Sequence, residues 1–287
     1  MYRLSLSDCK PLLSKIDSRI RGWGGLQLSF AARIQLIKSV LMSLNIYWAM
    51  AFILPKGIIR EIEKRLRSFL WKGASGDGYQ KVTWNQVCRP LEEGGQGIRD
   101  ILVINLALMS RHLWKIIQEN CDSIWVNWIY HVRLRGKSIW TVNDRMGSWG
   151  WRKLLRLRQV LRPWVIYRVG MGSSFLLWHD PWHSLGPLIL QFPREPQLTD
   201  SSVKAKLQEV ISNGQWNWPL VPDIESLDII FFLSTIHRGD DRISWRVEGG
   251  QFSNQEAYAL FHPLGPKLGW SSLLLAPLKI PRNNFIL

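Results

Sequence analysis

A chain of 287 residues with 46% hydrophobic content is long enough for one large domain or two smaller ones around packed cores. Its 37 Lys and Arg against 22 Asp and Glu leave a net charge of +15, a field that attracts polyanions. Three isolated cysteines, Cys9, Cys88 and Cys121, exclude a disulfide framework and fit a reducing, intracellular setting.

No signal peptide is expected, because Met1-Tyr2-Arg3 is followed by no apolar run. Ser29 is a good N-cap, and Phe30, Ile34, Ile37, Leu41, Leu44 and Trp48 then recur at spacings of three and four, which predicts a helix over 29–49. Arg33 and Gln35 turn away from that stripe, and Lys38 lies at its edge. Residues 39–55 are uncharged but fall short of the roughly 20 apolar residues that a bilayer demands, so a buried core helix is expected. Pro55 stops this helix and Gly57 allows the turn. A second helix over 58–71 buries Ile59, Ile62, Leu66 and Phe69 and sets Arg60, Lys64 and Arg67 on the opposite face. Glu61 and Arg65 form a supportive i, i+4 pair.

A Gly-rich linker over 73–78 and a turn-rich stretch over 91–97 lead to a third helix near 101–118. Its inward side chains are Leu102, Leu106, Met109, Leu113 and Ile116. A fourth helix over 122–133 has Ile124, Trp125, Trp128, Ile129 and Val132 as its apolar set. Ser148 caps a fifth, Trp151–Leu161, with Leu154, Leu157 and Leu161 inward and Arg152, Arg156 and Gln159 outward. After Pro163 the period changes. Val165–Val169 and Phe175–Trp178 around Gly170-Met171-Gly172 read as a β-hairpin, and Ile243–Val247 with Phe252 as a second. Short helices are expected over 202–211 and 255–261, and a helix or strand over 228–236. The predicted fold is mainly α with small β-hairpins, an α+β chain divided at 1–120, 121–200 and 201–287.

Charge is unevenly placed. Residues 1–170 hold 28 Lys and Arg and 11 Asp and Glu, a net of +17, whereas residues 171–287 hold 9 and 11, a net of −2. Arg60, Lys64, Arg67 and Lys72 lie within about three turns, and Arg33 is placed to join them. A second cluster, Arg152, Lys153, Arg156, Arg158 and Arg162, occupies one short helix. Rows of this kind position phosphates without reading sequence; the alternative is an ordinary solvated face.

Other motifs carry less. Asp240 and Asp241 in HRGDDRISW resemble the Gly-Asp-Asp turn of RNA polymerases, but no earlier Asp stands ready to complete a two-metal site, so a solvated turn is expected. His179 and His183 have an i, i+4 spacing, which Pro181 makes hard to realise as a helix. No metal, cofactor or catalytic group is expected. Trp48, Trp125 and Trp128 read as core; Trp23, Trp149 and Trp151, near glycines and cations, are the candidates for stacking on bases, although core is the more common outcome for each of them too.

The blocks GWGGLQLSFAARIQLIKSVL, ILPKGIIREIEKRLRSFLWKG, EEGGQGIRD, SWGWRKLLRLRQVLRPWV and YRVGMGSSFLLWHDPWHSLGPL resemble the C-terminal part of plant non-LTR retrotransposon reverse transcriptases. That resemblance implies a thumb-like helical domain over 1–120, a connector over 121–200 and an incomplete zinc-binding-type domain over 201–287, truncated at both ends. It implies no catalytic aspartates, and an RNA or RNA–DNA duplex gripped by Arg33, Arg60, Lys64, Arg67, Lys72, Arg152, Lys153 and Arg156. The other reading is a retroelement remnant without a ligand, its charge inherited and unused.

Overall fold

The structure, a computed structural model, describes residues 4–269 except 6, 73–81, 120–121, 146, 195, 197–200, 219–232, 248, 263–264 and 268. It is mainly helical, with two sheets of two strands each among the described residues. The chain packs as two units: Met1–Met109 with Ser148–Gly150 and Asn254–Leu287, and Ser110–Gly147 with Trp151–Ser253. This grouping follows contacts in space and differs from a serial division at 120 and 200.

In the first unit, α1 (Lys10–Gly22), α2 (Phe30–Leu36), α3 (Met42–Ala51) and α4 (Lys56–Lys72) surround one core. Ser29 caps α2 by accepting the Ala32 N–H at 3.2 Å. Between α2 and α3 the helix widens into a π turn, Ile37–Leu41. Two hydroxyls bond back to carbonyls around it, Ser39 to Gln35 at 2.8 Å and Ser43 to Val40 at 2.7 Å. The turn accommodates one extra residue, and this shifts the buried stripe. Ile34, Ile37 and Leu41 are buried as the spacing predicts, but the stripe then continues through Met42, Asn45 and Ala49, while Leu44 and Trp48 are only half-buried. The stretch Phe30–Ala51 is long and apolar enough to cross a membrane, with mean hydropathy 1.2. Core helices pass the same test, and 33% of it is buried.

Helix α4 buries Ile58, Ile59, Ile62, Leu66, Phe69 and Leu70 against Leu12, Leu13 and Ile16 of α1 and the inner face of α2. It begins directly after Pro55, whose carbonyl accepts the Ile58 and Ile59 amides, so Gly57 lies inside the helix rather than in a turn. The corner between α3 and α4 is held by Asn105, buried on α6 (Ile101–Ile117), the helix within which the division between units falls. Its Oδ1 accepts the Leu54 N–H at 2.8 Å, and its Nδ2 donates to Ala49 and Phe52 carbonyls at 2.9 and 2.7 Å. The Ala49 carbonyl lies in the last turn of α3 and the Phe52 carbonyl and Leu54 amide lie beyond its end, so one amide side chain does the work of a cap. Helix α5 (Trp84–Cys88) precedes a tight Gly-rich loop, in which a Cβ on Gly95 would run into the backbone of Arg89.

In the second unit, α7 (Ile124–Trp128) continues as a π turn, Ile129–Leu134, and α8 (Trp149–Leu161) leads into β1 (Val165–Arg168). The first expected hairpin does not form. Strand β1 pairs antiparallel with the distant β4 (Arg242–Trp245), Val165 opposite Trp245 and Arg168 opposite Arg242. Residues 243–247 and 252 therefore form no hairpin either. What closes the Gly170–Ser174 loop is Asp241, whose carboxylate accepts the amides of Gly170, Gly172 and Ser174 at 2.8–2.9 Å. The intervening helix α9 (Leu188–Gln191) is a single turn.

The helix expected over 202–211 is also absent. A 3-10 turn at Leu207–Val210 runs into β2 (Ile211–Ser212), which pairs with β3 (Gln215–Trp216) across Asn213 and Gly214, both at positive φ. Aromatic rings fill this core: Trp182 stacks on Trp216 at 5.2 Å and Trp178 meets Trp218 edge-on at 5.8 Å. The element expected over 228–236 lies largely outside the described residues, and α10 (Asn254–Phe261) forms where the sequence places it.

Two predictions follow the buried polar groups. Asn105→Ala strands three backbone groups and lowers the unfolding free energy by about 2–4 kcal/mol, read from urea denaturation; a loss below half a kcal/mol would refute the clasp. Asp180 accepts from the Ser138 hydroxyl at 2.6 Å and the Leu176 amide at 2.8 Å, yet burial pushes its carboxyl up from 3.8 to about 6. The folded chain therefore holds this proton more tightly than the unfolded chain. Stability falls as pH rises from about 4 to about 6, by up to about 3 kcal/mol, and levels off above. Asp180→Asn removes that slope.

Candidate nucleic-acid interface

Burying one side of α4 dictates what the other side presents. At 3.6 residues per turn Lys56, Arg60, Lys64 and Arg67 share a face about 16 Å long, over which one duplex strand carries about five phosphates. Lys56, Arg60 and Lys64 are exposed, and no hydrogen bond or ion pair to a described residue holds them. Arg67 is half-buried with its Nε withdrawn from water and unbonded. Glu63 is the acid within this face. Burial pushes its carboxyl above the ordinary range and nearby Asp100 adds to the effect, against the pull of Arg67 and Arg60. Lys56, at the positive start of α4 where a cation is disfavoured, was not singled out from the sequence, because Pro55-Lys56-Gly57 read as a turn.

The structure separates the remaining sequence candidates by what their side chains already do. Arg33 donates from Nη1 to the Leu70 carbonyl at 2.8 Å, fastening α2 to the last turn of α4; it is half-buried and stands apart from the exposed row. Lys72 is exposed at the C-terminal residue of α4. Arg65 is spent on Asp17 at 2.9 Å and Glu61 at 2.7 Å.

On α8, in the other unit, Lys153 and Arg156 are exposed and Arg152 is half-buried with its Nε unbonded. Arg156 lies 4.0 Å from Asp144, too far for a strong pair. The cluster's other two members are structural. Arg158 donates to the carbonyls of Leu155, Ile139 and Val142 at 2.8, 2.6 and 2.9 Å, and Arg162 to Pro181 at 2.8 Å and Val165 at 3.3 Å. Burial pushes both guanidiniums below their ordinary value. Spacing alone did not distinguish them from Arg152 and Arg156.

Helix α1 carries four exposed cations that sequence reading passed over, Lys10, Lys15, Arg19 and Arg21. A signal was present: the one acid inside that helix, Asp17, is engaged by Arg65.

Among the tryptophans Trp128 departs from the expected core placement. Trp151 is buried, Trp23 packs on Phe69 at 5.4 Å, and Trp128 is 47% exposed. Trp128 leaves the core because the buried side of its helix is Val126, Ile129 and Leu134. The paired aspartates also part: Asp240 is exposed, whereas Asp241 is the loop anchor rather than a solvated turn. His179 bonds Thr141 at 2.8 Å and His183 receives the Leu185 amide at 3.2 Å. Among the described residues no three His, Cys, Asp or Glu are grouped to hold a metal. A cavity of about 480 Å³ lies beside Tyr130, Lys137, Tyr167, Asp180, Lys206 and Asp241, with Asp180 and Asp241 already engaged by protein donors.

No family model matches the sequence. The chain is 31% identical over 271 residues to an Arabidopsis thaliana protein named "putative ribonuclease H protein", an alignment covering 90% of this chain and 43% of that protein. It is 24% identical over 149 residues to an "uncharacterized mitochondrial protein" of the same plant, covering 49% of this chain and 93% of the relative. The chain thus spans less than half the length of the first relative. These similarities fit a plant retroelement-derived protein. They correct the reverse transcriptase assignment, since neither relative bears that name and the longer match is named for ribonuclease H. The blocks that suggested it are helix faces and turns, local patterns that do not by themselves decide which activity a protein is named for.

Arg158→Ala separates structural from surface cations. Losing three bonds to carbonyls costs about 2–3 kcal/mol in urea denaturation, whereas Arg60→Ala stays within about half a kcal/mol. Equal effects would erase the distinction.

Proposed function

We propose that this chain is a non-catalytic, nucleic-acid-binding segment of a plant retroelement protein that lies along a phosphate backbone through the outer face of α4. The observation that carries the reading is the exposed run Lys56, Arg60 and Lys64, which no hydrogen bond or ion pair to a described residue holds. Cations that outnumber the acids along one helix face repel one another, and a row of phosphates relieves that repulsion while releasing condensed counterions. Such contacts orient a strand without selecting its sequence. Exposed Lys10, Lys15, Arg19 and Arg21 on α1 extend the positive surface of the same unit. The ribonuclease H name of one relative favours a nucleic-acid partner. We take that partner to be RNA or an RNA–DNA duplex inside the cell. No chemical step is assigned to any side chain.

The test is equilibrium binding of the full chain to a 20-base-pair RNA–DNA duplex between 50 and 200 mM salt. Affinity is expected to fall steeply with salt, and Arg60→Gln/Lys64→Gln to reduce the logarithmic salt slope by about 2. Absence of binding at 50 mM salt, or an unaltered slope in the double variant, overturns the proposal and leaves the charge without a ligand.

A further inference from the structure

We infer that the outward face of α7 and its π turn is a stacking platform for unpaired bases, centred on Trp128. Ile124, Trp128 and Val132 follow one another at intervals of four and are 89%, 47% and 40% exposed. They form an apolar strip on a helix whose opposite side is sealed by Val126, Ile129 and Leu134. A large indole is an expensive group to leave in water without an occupant. The Arg133 guanidinium stands 5.5 Å from the Trp128 ring centroid, a cation–π contact that holds the ring and sets a positive charge beside it.

What surrounds the strip decides the occupant. His131, Arg133, Arg135 and Lys137 are exposed, and no acid occurs between residues 123 and 143. The nearest, Asp122, lies before the helix begins. Arg135 sits at positive φ with its Nε on the Val132 carbonyl at 3.2 Å, which keeps its charge beside the strip. A face built to dock another protein stably buries about 800 Å² on each partner, more than one strip of three side chains supplies. An aromatic plane bordered by guanidiniums suits a nucleobase lying on the ring with its phosphate on the neighbouring cations. Paired bases hide their faces, so the ligand is a single strand. The inference rests on the reading of the chain as a nucleic-acid binder and extends it from paired backbone on one unit to unpaired bases on the other.

The experiment compares the full chain with Trp128→Leu, Trp128→Phe and Arg60→Gln/Lys64→Gln, each checked for folding by circular dichroism, on two probes. One is a 20-nucleotide oligouridine and the other is the 20-base-pair RNA–DNA duplex. Trp128→Leu keeps an apolar side chain without a π face and is expected to weaken oligouridine binding by about fivefold to a hundredfold. Trp128→Phe retains most of the affinity, and duplex binding changes less than twofold in both. Oligouridine binding unchanged in Trp128→Leu overturns the platform, and so does a concentration-dependent dimer in sedimentation that Trp128→Leu disperses. If the wild-type chain binds neither probe at 50 mM salt, both readings fall. Duplex binding that depends on Arg60 and Lys64 but not oligouridine binding on Trp128 removes this one alone.

Discussion

Six apolar side chains on one side of α4 organise the first unit. Ile58, Ile59, Ile62, Leu66, Phe69 and Leu70 are each almost fully withdrawn from water. Burying a side chain of this size contributes about 1.5–3 kcal/mol, so the row outweighs any single polar contact nearby. It fixes the rotation of α4 about its own axis. Once that rotation is fixed, Lys56, Arg60 and Lys64 have nowhere to go but outward. The electrostatics of the surface is thus a by-product of core packing, and a mutation that rolled α4 would move both together.

The polar interior follows a consistent rule: where helices unwind or strands are too short to pair, one side chain gathers the orphaned backbone groups. Asn105 does so at the α3–α4 corner, Asp241 over three alternate loop amides, and Arg158 over three carbonyls. These residues are polar for architectural reasons. Arginine in particular serves two purposes in this chain, tying carbonyls inside and carrying charge outside. The net charge of +15 therefore overstates the charge offered to a ligand.

Helices were legible because apolar spacing and caps are local signals: Ser29, the α4 stripe and α8 fall where period and capping place them. Strand pairing was not. Val165–Arg168 is joined to Arg242–Trp245 across more than seventy residues, and no neighbouring residues announce it. The helix over 124–134 was recognised with its inner face misassigned, because Ile124, Trp128 and Val132 are as apolar as the residues that are buried. Composition ranks hydrophobicity but does not say which side meets a partner. In the candidate interface, Arg60 and Lys64 are readable from helical phase. The diversion of Arg33, Arg158 and Arg162 to backbone carbonyls depends on distant segments that periodicity cannot see.

The widened turn at Ile37–Leu41 has an evolutionary consequence. A surplus residue wound into a helix is a stored insertion, and the two halves on either side then keep separate reading phases. Removing one residue there would let the spiral close into a regular α-helix with the downstream half still in phase, Asn45 and Ala49 inward as before; closing the turn with the residue kept would instead roll that half by about 100° and bring Leu44 and Trp48 inward. Lineages that lost or gained this residue could keep the amphipathic pattern on both sides of it, because the turn absorbs the difference.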